Sequence, residues 1–236
     1  MKDSPLLPID YWNELKARYG DKSCIYTTVE HGWAGNYFKQ YDDLEKFNKK
    51  NGTNIRWIYG AEAYWVKDRH ESDRSNCHIV LLARTDKGRK AINKILSIAN
   101  KDGYYARPRI DLELIDQLPY DDVMITTACI AFWNKYDDIA DIVRHLAESF
   151  PHFYLEVQAH DTPEQKDLNR RIIQLVKNCL YQLLLDVIAM LSLNHKCSIE
   201  MNCSNRAISI MRMKMGGIWT IQHMTCYLSG LSNKAY

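Results

Sequence analysis

From Cys24 to Leu175, short runs rich in β-branched and aromatic residues take turns with amphipathic segments of helical period. This alternation limits the chain to a parallel α/β sheet or barrel. The first strand is CIYTTVE (Cys24 to Glu30), and NYFKQYDDLEKFNKKNG follows as a helix stopped at Gly52. IRWIYGAEAYWV reads as a second strand. The polar loop KDRHESDRSN separates it from the strand CHIVLLA, after which KGRKAINKILSIANKDG has helical spacing with Gly103 at its end. The unit recurs as strand DVMITTACIAFW, helix YDDIADIVRHLAESF, strand FYLEVQAH and helix PEQKDLNRRIIQL, with Pro163 suited to a first turn.

In such folds functional side chains sit at the carboxyl ends of strands and in the loops beyond. Glu30 and His31 end the first strand, Cys129 lies late in its strand and His160 ends FYLEVQAH. His78 instead begins CHIVLLA, but an antiparallel return of that strand would bring it level with Glu62 or Tyr64. Glu62 lies within an apolar run, where a carboxylate needs a metal or a buried basic partner. The single histidines also fit hydrogen-bonded structural posts, and Cys129 fits a small buried hydrophobe. Arg69 and Arg74, in a loop that reads as solvated, are candidates to hold a phosphate. A mixed Glu, His and Cys set suits zinc or manganese, and metal-activated water attacking a phosphoester is the chemistry such a set serves. The sequence holds no Walker loop, GxGxxG, HExxH or GxSxG, which removes support for nucleotide-cradling and serine-hydrolase chemistry.

A net charge of +2 in 236 residues, without a polybasic run, announces neither nucleic acid nor membrane. Seven cysteines, an odd number without a CxxC pair, argue against a disulfide framework or a zinc ribbon. The opening MKDSPLLPIDYW has no apolar core of a signal peptide, so a reducing, cytoplasmic compartment is expected. The composition breaks at Leu175. Up to that residue there are 27 acidic and 25 basic residues, whereas 176–236 has only Asp186 and Glu200 against six basic residues. The tail also carries four of the seven cysteines, six of the eight methionines and no proline. Its apolar stretch CLYQLLLDVIAMLSL suits a packed helical extension and is too short, with Asp186 inside it, to span a membrane.

Five ordered blocks, TTVEHGWAGNYF, IYGAEAYWVKDRHESDRSNCHIVLLA, YYARPRIDLEL, TTACIAFW and FYLEVQAHDTPEQKDLNRRIIQL, resemble the PHP (polymerase and histidinol phosphatase) domain of C-family replicative DNA polymerases, over roughly Tyr26 to Leu175. The resemblance implies a distorted (βα)7 barrel with metal ions at its strand ends, serving 3′-5′ exonuclease proofreading in some members and scaffolding in others. Glu30, His31, Glu62, His78 and Cys129 fall on ligand positions of that family, Glu30 where an aspartate is usual. The opening His-x-His and closing Asp-x-His blocks have no counterpart. The resemblance therefore implies an incomplete barrel, weak or substoichiometric zinc or manganese and little activity of this chain alone. It also implies DNA and polymerase or exonuclease subunits as partners. A barrel short of strands would leave open edges that invite self-association. No polymerase palm, fingers or thumb is recognisable, so the chain is not expected to copy DNA.

The tail has a second reading in the genetic code. MKMGGIWTIQHMT, read one base earlier, permits Asp-Glu-Asp-Gly-Trp-Tyr-Met-Asp-Tyr-Pro-Thr-Tyr-Asp, a plausible stretch of this polymerase family. The same shift lets DVIAM decode as Gly-Cys-Asp-Ser-His, the missing Asp-x-His block, and lets VKNCLYQLLL open with Ser-Lys-Lys-Leu-Ser-Leu-Pro. The partial domain is thus expected over 1–175 and an out-of-frame tail, irregular or loosely helical, over 176–236.

Overall fold

The computed structural model describes residues 7–75, 77–158, 160–178, 182–187, 208–215 and 218–226, with side chains through Leu175. The chain opens with helix α1 (Pro8–Tyr19), which the sequence reading did not place. Pro8 stands in its first turn and Asp10 takes the N–H of Leu7 at 2.7 Å, satisfying a group the helix cannot bond itself. Its buried Tyr11, Trp12 and Leu15 pack with Tyr26, Leu44, Phe47 and Ile55. These residues join α1 to strand β1 (Ser23–His31), helix α2 (Tyr37–Asn51) and strand β2 (Asn54–Trp65).

Strands β1 and β2 run parallel, in register from Ser23↔Asn54 to His31↔Glu62. Strand β3 (Cys77–Ala83) returns antiparallel to β2, with Tyr64 opposite His78, as anticipated. Helix α3 (Asp86–Lys101) follows, its first turn capped by the Thr85 hydroxyl, which accepts from the Gly88 N–H. The Tyr104 to Leu114 stretch forms short pieces: β4 (Tyr104–Tyr105), β5 (Arg107–Ile110) and the one-turn helix α4 (Leu112–Ile115). β5 adds to the end of β2 beyond the reach of β1. Strand β6 (Val123–Thr126) pairs antiparallel with β3, helix α5 (Ile139–Ser149) leads to strand β7 (Phe153–Gln158), and helix α6 (Pro163–Asn178) follows.

The resulting β7-β6-β3-β2-β1 sheet is a curled half-barrel, the incomplete barrel expected, with mixed rather than uniformly parallel pairing. Its outer face, including Tyr59, Ala61, Ala63 and Trp65, packs with Ile92, Ile95 and Leu96 of α3 in the main core. Val29, Val80 and Leu82 face the other way into a smaller cluster.

Two expectations need correction. DVMITTACIAFW is not one strand: β6 stops at Thr126, Ala128 takes a positive φ of 50° and Ile130–Phe132 is a 3-10 turn. The left-handed residue breaks the extended path, so Cys129 lies beyond the strand. The tail also differs where it is described, because β8 (Gln182–Val187), β9 (Ile208–Met215) and β10 (Ile218–Cys226) are extended. β8 pairs with β7, β9 with β8 and β10 with β9, and β10 also meets β1 through Thr27↔Trp219 and Thr28↔Ile218. Both edges of the half-barrel therefore have backbone partners, which removes the open edges from which self-association was argued. Unpaired edges bind through main-chain groups and are indifferent to the partner's side chains. Helix α6 runs through the Leu175 boundary, and the expected tail helix CLYQLLLDVIAMLSL is instead strand over Gln182–Val187, its other residues lying outside the described residues.

Candidate metal centre

The parallel β1–β2 ladder sets His31 level with Glu62 at the carboxyl end of β1. The strand has to stop there. Gly32 has φ +72° and donates its N–H to the Glu62 carbonyl at 2.9 Å, and a Cβ on it would come within 2.7 Å of Pro108 Cγ. Glycine thus allows the chain to turn immediately past His31, with β5 packed close. On the other side, β3 begins at the same level, so the amino end of this strand supplies His78.

Candidate ligand atoms of His31, Glu62 and His78 all lie within 4.8 Å of one another. Glu62 is 3% exposed, and its two oxygens divide between the imidazoles. Oε1 is 3.2 Å from His78 Nδ1, and Oε2 is 4.0 Å from His31 Nε2. Cys129 Sγ stands 3.4 Å from the same His78 nitrogen, placed by the Ala128 kink. Burial pushes the His78 imidazole down, but its contacts with Cys129 and Glu62 outweigh this and hold it up at about 9. His78 Nε2 is itself buried without a hydrogen-bond partner among the described residues. A buried carboxylate, two converging imidazoles and an orphaned ring nitrogen fit a divalent cation. His31 keeps about a third of its side chain exposed, so the centre is reachable from solvent.

The other expected residues are not brought into this group. Glu30 bonds the side chain and backbone N–H of Asn36. His160 lies past the end of β7. Arg74 stacks over Tyr105 at 5.5 Å. Arg69 is 8% exposed, and its Nη1 is 2.9 Å from both Asp111 oxygens and 2.7 Å from Glu113. Its guanidinium is committed to carboxylates, which leaves Arg69 as a loop anchor instead of a phosphate holder.

Three features went unnoticed in the sequence. Tyr64 stacks on His31 at 5.7 Å and carries the Arg107 guanidinium over its ring at 4.8 Å, forming an aromatic and cationic rim. Arg109, 2% exposed, donates to the carbonyls of Arg69, Glu71, Asp73 and Gly103 and holds the loop before β3. Glu156, in a strand buried at every position, takes hydrogen bonds from Thr126 and Gln158. The signal for Glu156 was the one that marked Glu62, a carboxylate inside an apolar run.

Residues 24–160 match the PHP domain family. DNA polymerase III subunit alpha of Aquifex aeolicus (strain VF5) is 33% identical over 164 residues, covering 61% of this chain and 14% of that protein. The subunit of the same name from Borreliella burgdorferi is 28% identical over 173 residues, covering 67% of this chain and 14% of its own length. The chain thus spans about one-seventh of these relatives. With more than half of its residues inside the family match and the histidines and carboxylate converging at one barrel end, the chain belongs to the PHP domain family.

Proposed function

We propose that this chain is the PHP region of a replicative polymerase of the DNA polymerase III alpha kind, with a barrel end that holds one zinc or manganese ion weakly. The convergence of His31, Glu62 and His78 carries this reading. Three protein ligands leave a position for water, and the ion, when bound, would supply the polarisation that activates water toward a phosphoester. Glu62 Oε1 orients the His78 imidazole while Oε2 faces His31 at 4.0 Å, and Cys129 stands beside His78 as a further donor. The ligand blocks missing from the sequence support substoichiometric binding and no exonuclease activity in this chain alone. DNA and polymerase or nuclease subunits are the partners the family reading favours, in a reducing, cytoplasmic compartment.

The test uses the full chain, stripped of metal and titrated with zinc and manganese, followed by incubation with single-stranded DNA. The expected result is less than one ion per chain, lost in Glu62→Gln, and intact DNA. Loading with several ions, together with DNA degradation abolished by Glu62→Ala, would overturn this reading in favour of an active 3′-5′ exonuclease or phosphoesterase. The solvent-reachable centre is the observation that favours that alternative.

The reading of 176–236 as out-of-frame translation belongs to the same proposal. It is supported by the composition break and by a family match that lies wholly before Leu175. Sequencing the gene tests it: restoring one base near codon 175 should open a frame through an Asp-x-His block into polymerase sequence. Stop codons or unrelated residues in that frame would make the tail a genuine extension.

A further inference from the structure

Six residues back along β2 from Glu62, at the opposite end of the β2–β3 pair, lies a cleft of about 430 Å³. Its lining on β2 runs from Arg56 to Tyr59; Arg56 is about 20 Å along the strand from Glu62, and the side chain of Tyr59 packs on the opposite face of the sheet, so the cleft is separate from the metal centre. One wall is aromatic: Tyr37 packs against Tyr59 at 4.7 Å and against Trp57 at 5.2 Å. The Trp57 indole N–H is buried and has no hydrogen-bond partner among the described residues.

The rest of the lining sets three arginines, Arg56, Arg84 and Arg89, among apolar Ile58, Leu82 and Met124. Arg56 is exposed, and its guanidinium has no ion pair or hydrogen bond among the described residues. Arg84 bonds Asp121 and Arg89 bonds Asp86, but each guanidinium has five N–H donors and keeps some of them for a ligand. The acidic group of the lining, Asp86, is occupied by Arg89 and Lys90, whose hydrogen bonds hold its carboxyl below the usual carboxylate range. An entering anion therefore meets an uncommitted guanidinium first.

Guanidinium groups beside aromatic faces select ligands that are both planar and anionic, with the ring stacking while the charge is bonded. We propose that this cleft is a binding site for a nucleoside phosphate, its base against Tyr37 and Trp57 and its phosphate at Arg56. The volume lies at the low end of small-molecule sites, roughly 300–1,000 Å³, and suits one nucleotide. That nucleotide is either free or the 5′ end of a strand.

The test uses the full chain in chelator, so that the metal centre takes no part, with tryptophan fluorescence and calorimetry as readouts. The probes are a nucleoside 5′-monophosphate, the nucleoside, inorganic phosphate and a 5′-phosphorylated oligonucleotide. Expected is saturable binding of the monophosphate or of the oligonucleotide, with the nucleoside and phosphate each about tenfold weaker or more. Arg56→Ala should weaken it about tenfold with an unchanged melt, and Glu62→Gln should leave it intact. Binding of the oligonucleotide alone identifies a strand end as the occupant, and binding of the monophosphate identifies a free nucleotide. The proposal falls if neither binds, if phosphate binds as tightly as the nucleotide, if Arg56→Ala changes nothing, or if Glu62→Gln abolishes binding. The Glu62 control separates this outcome from failure of the metal reading.

Discussion

His78 Nδ1 lies 3.2 Å from Glu62 Oε1 although the two residues are not opposite each other in the β2–β3 ladder. Val80 faces Glu62 and Tyr64 faces His78, so the contact runs diagonally across one face of the sheet. Either residue alone is then an incomplete donor. His78→Gln should weaken zinc binding at least about tenfold, as removal of a metal ligand or its orienting partner does, by calorimetric titration of the stripped protein. Cys129→Ser should weaken it less, because Cys129 touches His78 and lies outside the convergent trio.

Arg69 and Asp111 form a buried pair, and without Asp111 the buried guanidinium keeps only the exposed carboxylate of Glu113. Asp111→Asn should destabilise the fold by about 3–5 kcal/mol, since it also weakens the cap on the Leu114 N–H. Glu113 touches the same guanidinium from a side chain that is 67% exposed, and Glu113→Gln should shift the melt far less. Chemical denaturation of the two variants checks the contrast.

Acid stability should report on Asp73. Burial pushes its carboxyl up, but hydrogen bonds from Ser75 and from the Tyr136 hydroxyl at 2.7 Å outweigh this and hold it below the usual range. A depressed native value stabilises the fold above the unfolded pKa, near 3.8, and that contribution is lost as pH falls through the native value. Tyr136→Phe should therefore lower stability at neutral pH and flatten its decline below about pH 4. Melting temperature followed against pH measures both effects.

Gly60 sits where the inner face is tightest, and a Cβ there would lie 2.4 Å from Leu82 Cδ2 and 2.8 Å from Val29 Cγ1. Gly60→Ala should cost about 1–3 kcal/mol by overpacking, read from denaturant midpoints. Gly20, with open space around its missing Cβ, should lose stability only through its φ of +61°.

The strand and helix order was legible because it depends on local periodicity, and Glu62 stood out because a carboxylate in an apolar run demands a partner. The antiparallel return to His78 was legible from loop length. The kink at Ala128 was not, since alanine carries no signature of a left-handed conformation. Arg69 and Arg109 were equally hidden. The loop they hold is rich in charge and reads as solvated, and only tertiary placement shows that Asp111 and the Arg109 guanidinium reach it from about forty residues away. The backbone pairing of the tail depends on edges left by the rest of the sheet, which no window of the tail records.

Arg109 spans the loop ahead of β3 by gripping the carbonyls of Arg69, Glu71 and Asp73 at 2.6–2.8 Å. A guanidinium has one size and shape, so this grip acts as a gauge of chain length. A residue inserted or deleted between Arg69 and Cys77 would break the grip or slide β3 by one position, and a slide of one position turns His78 to the opposite face of the sheet. The length of this loop is thereby tied directly to the placement of a ligand.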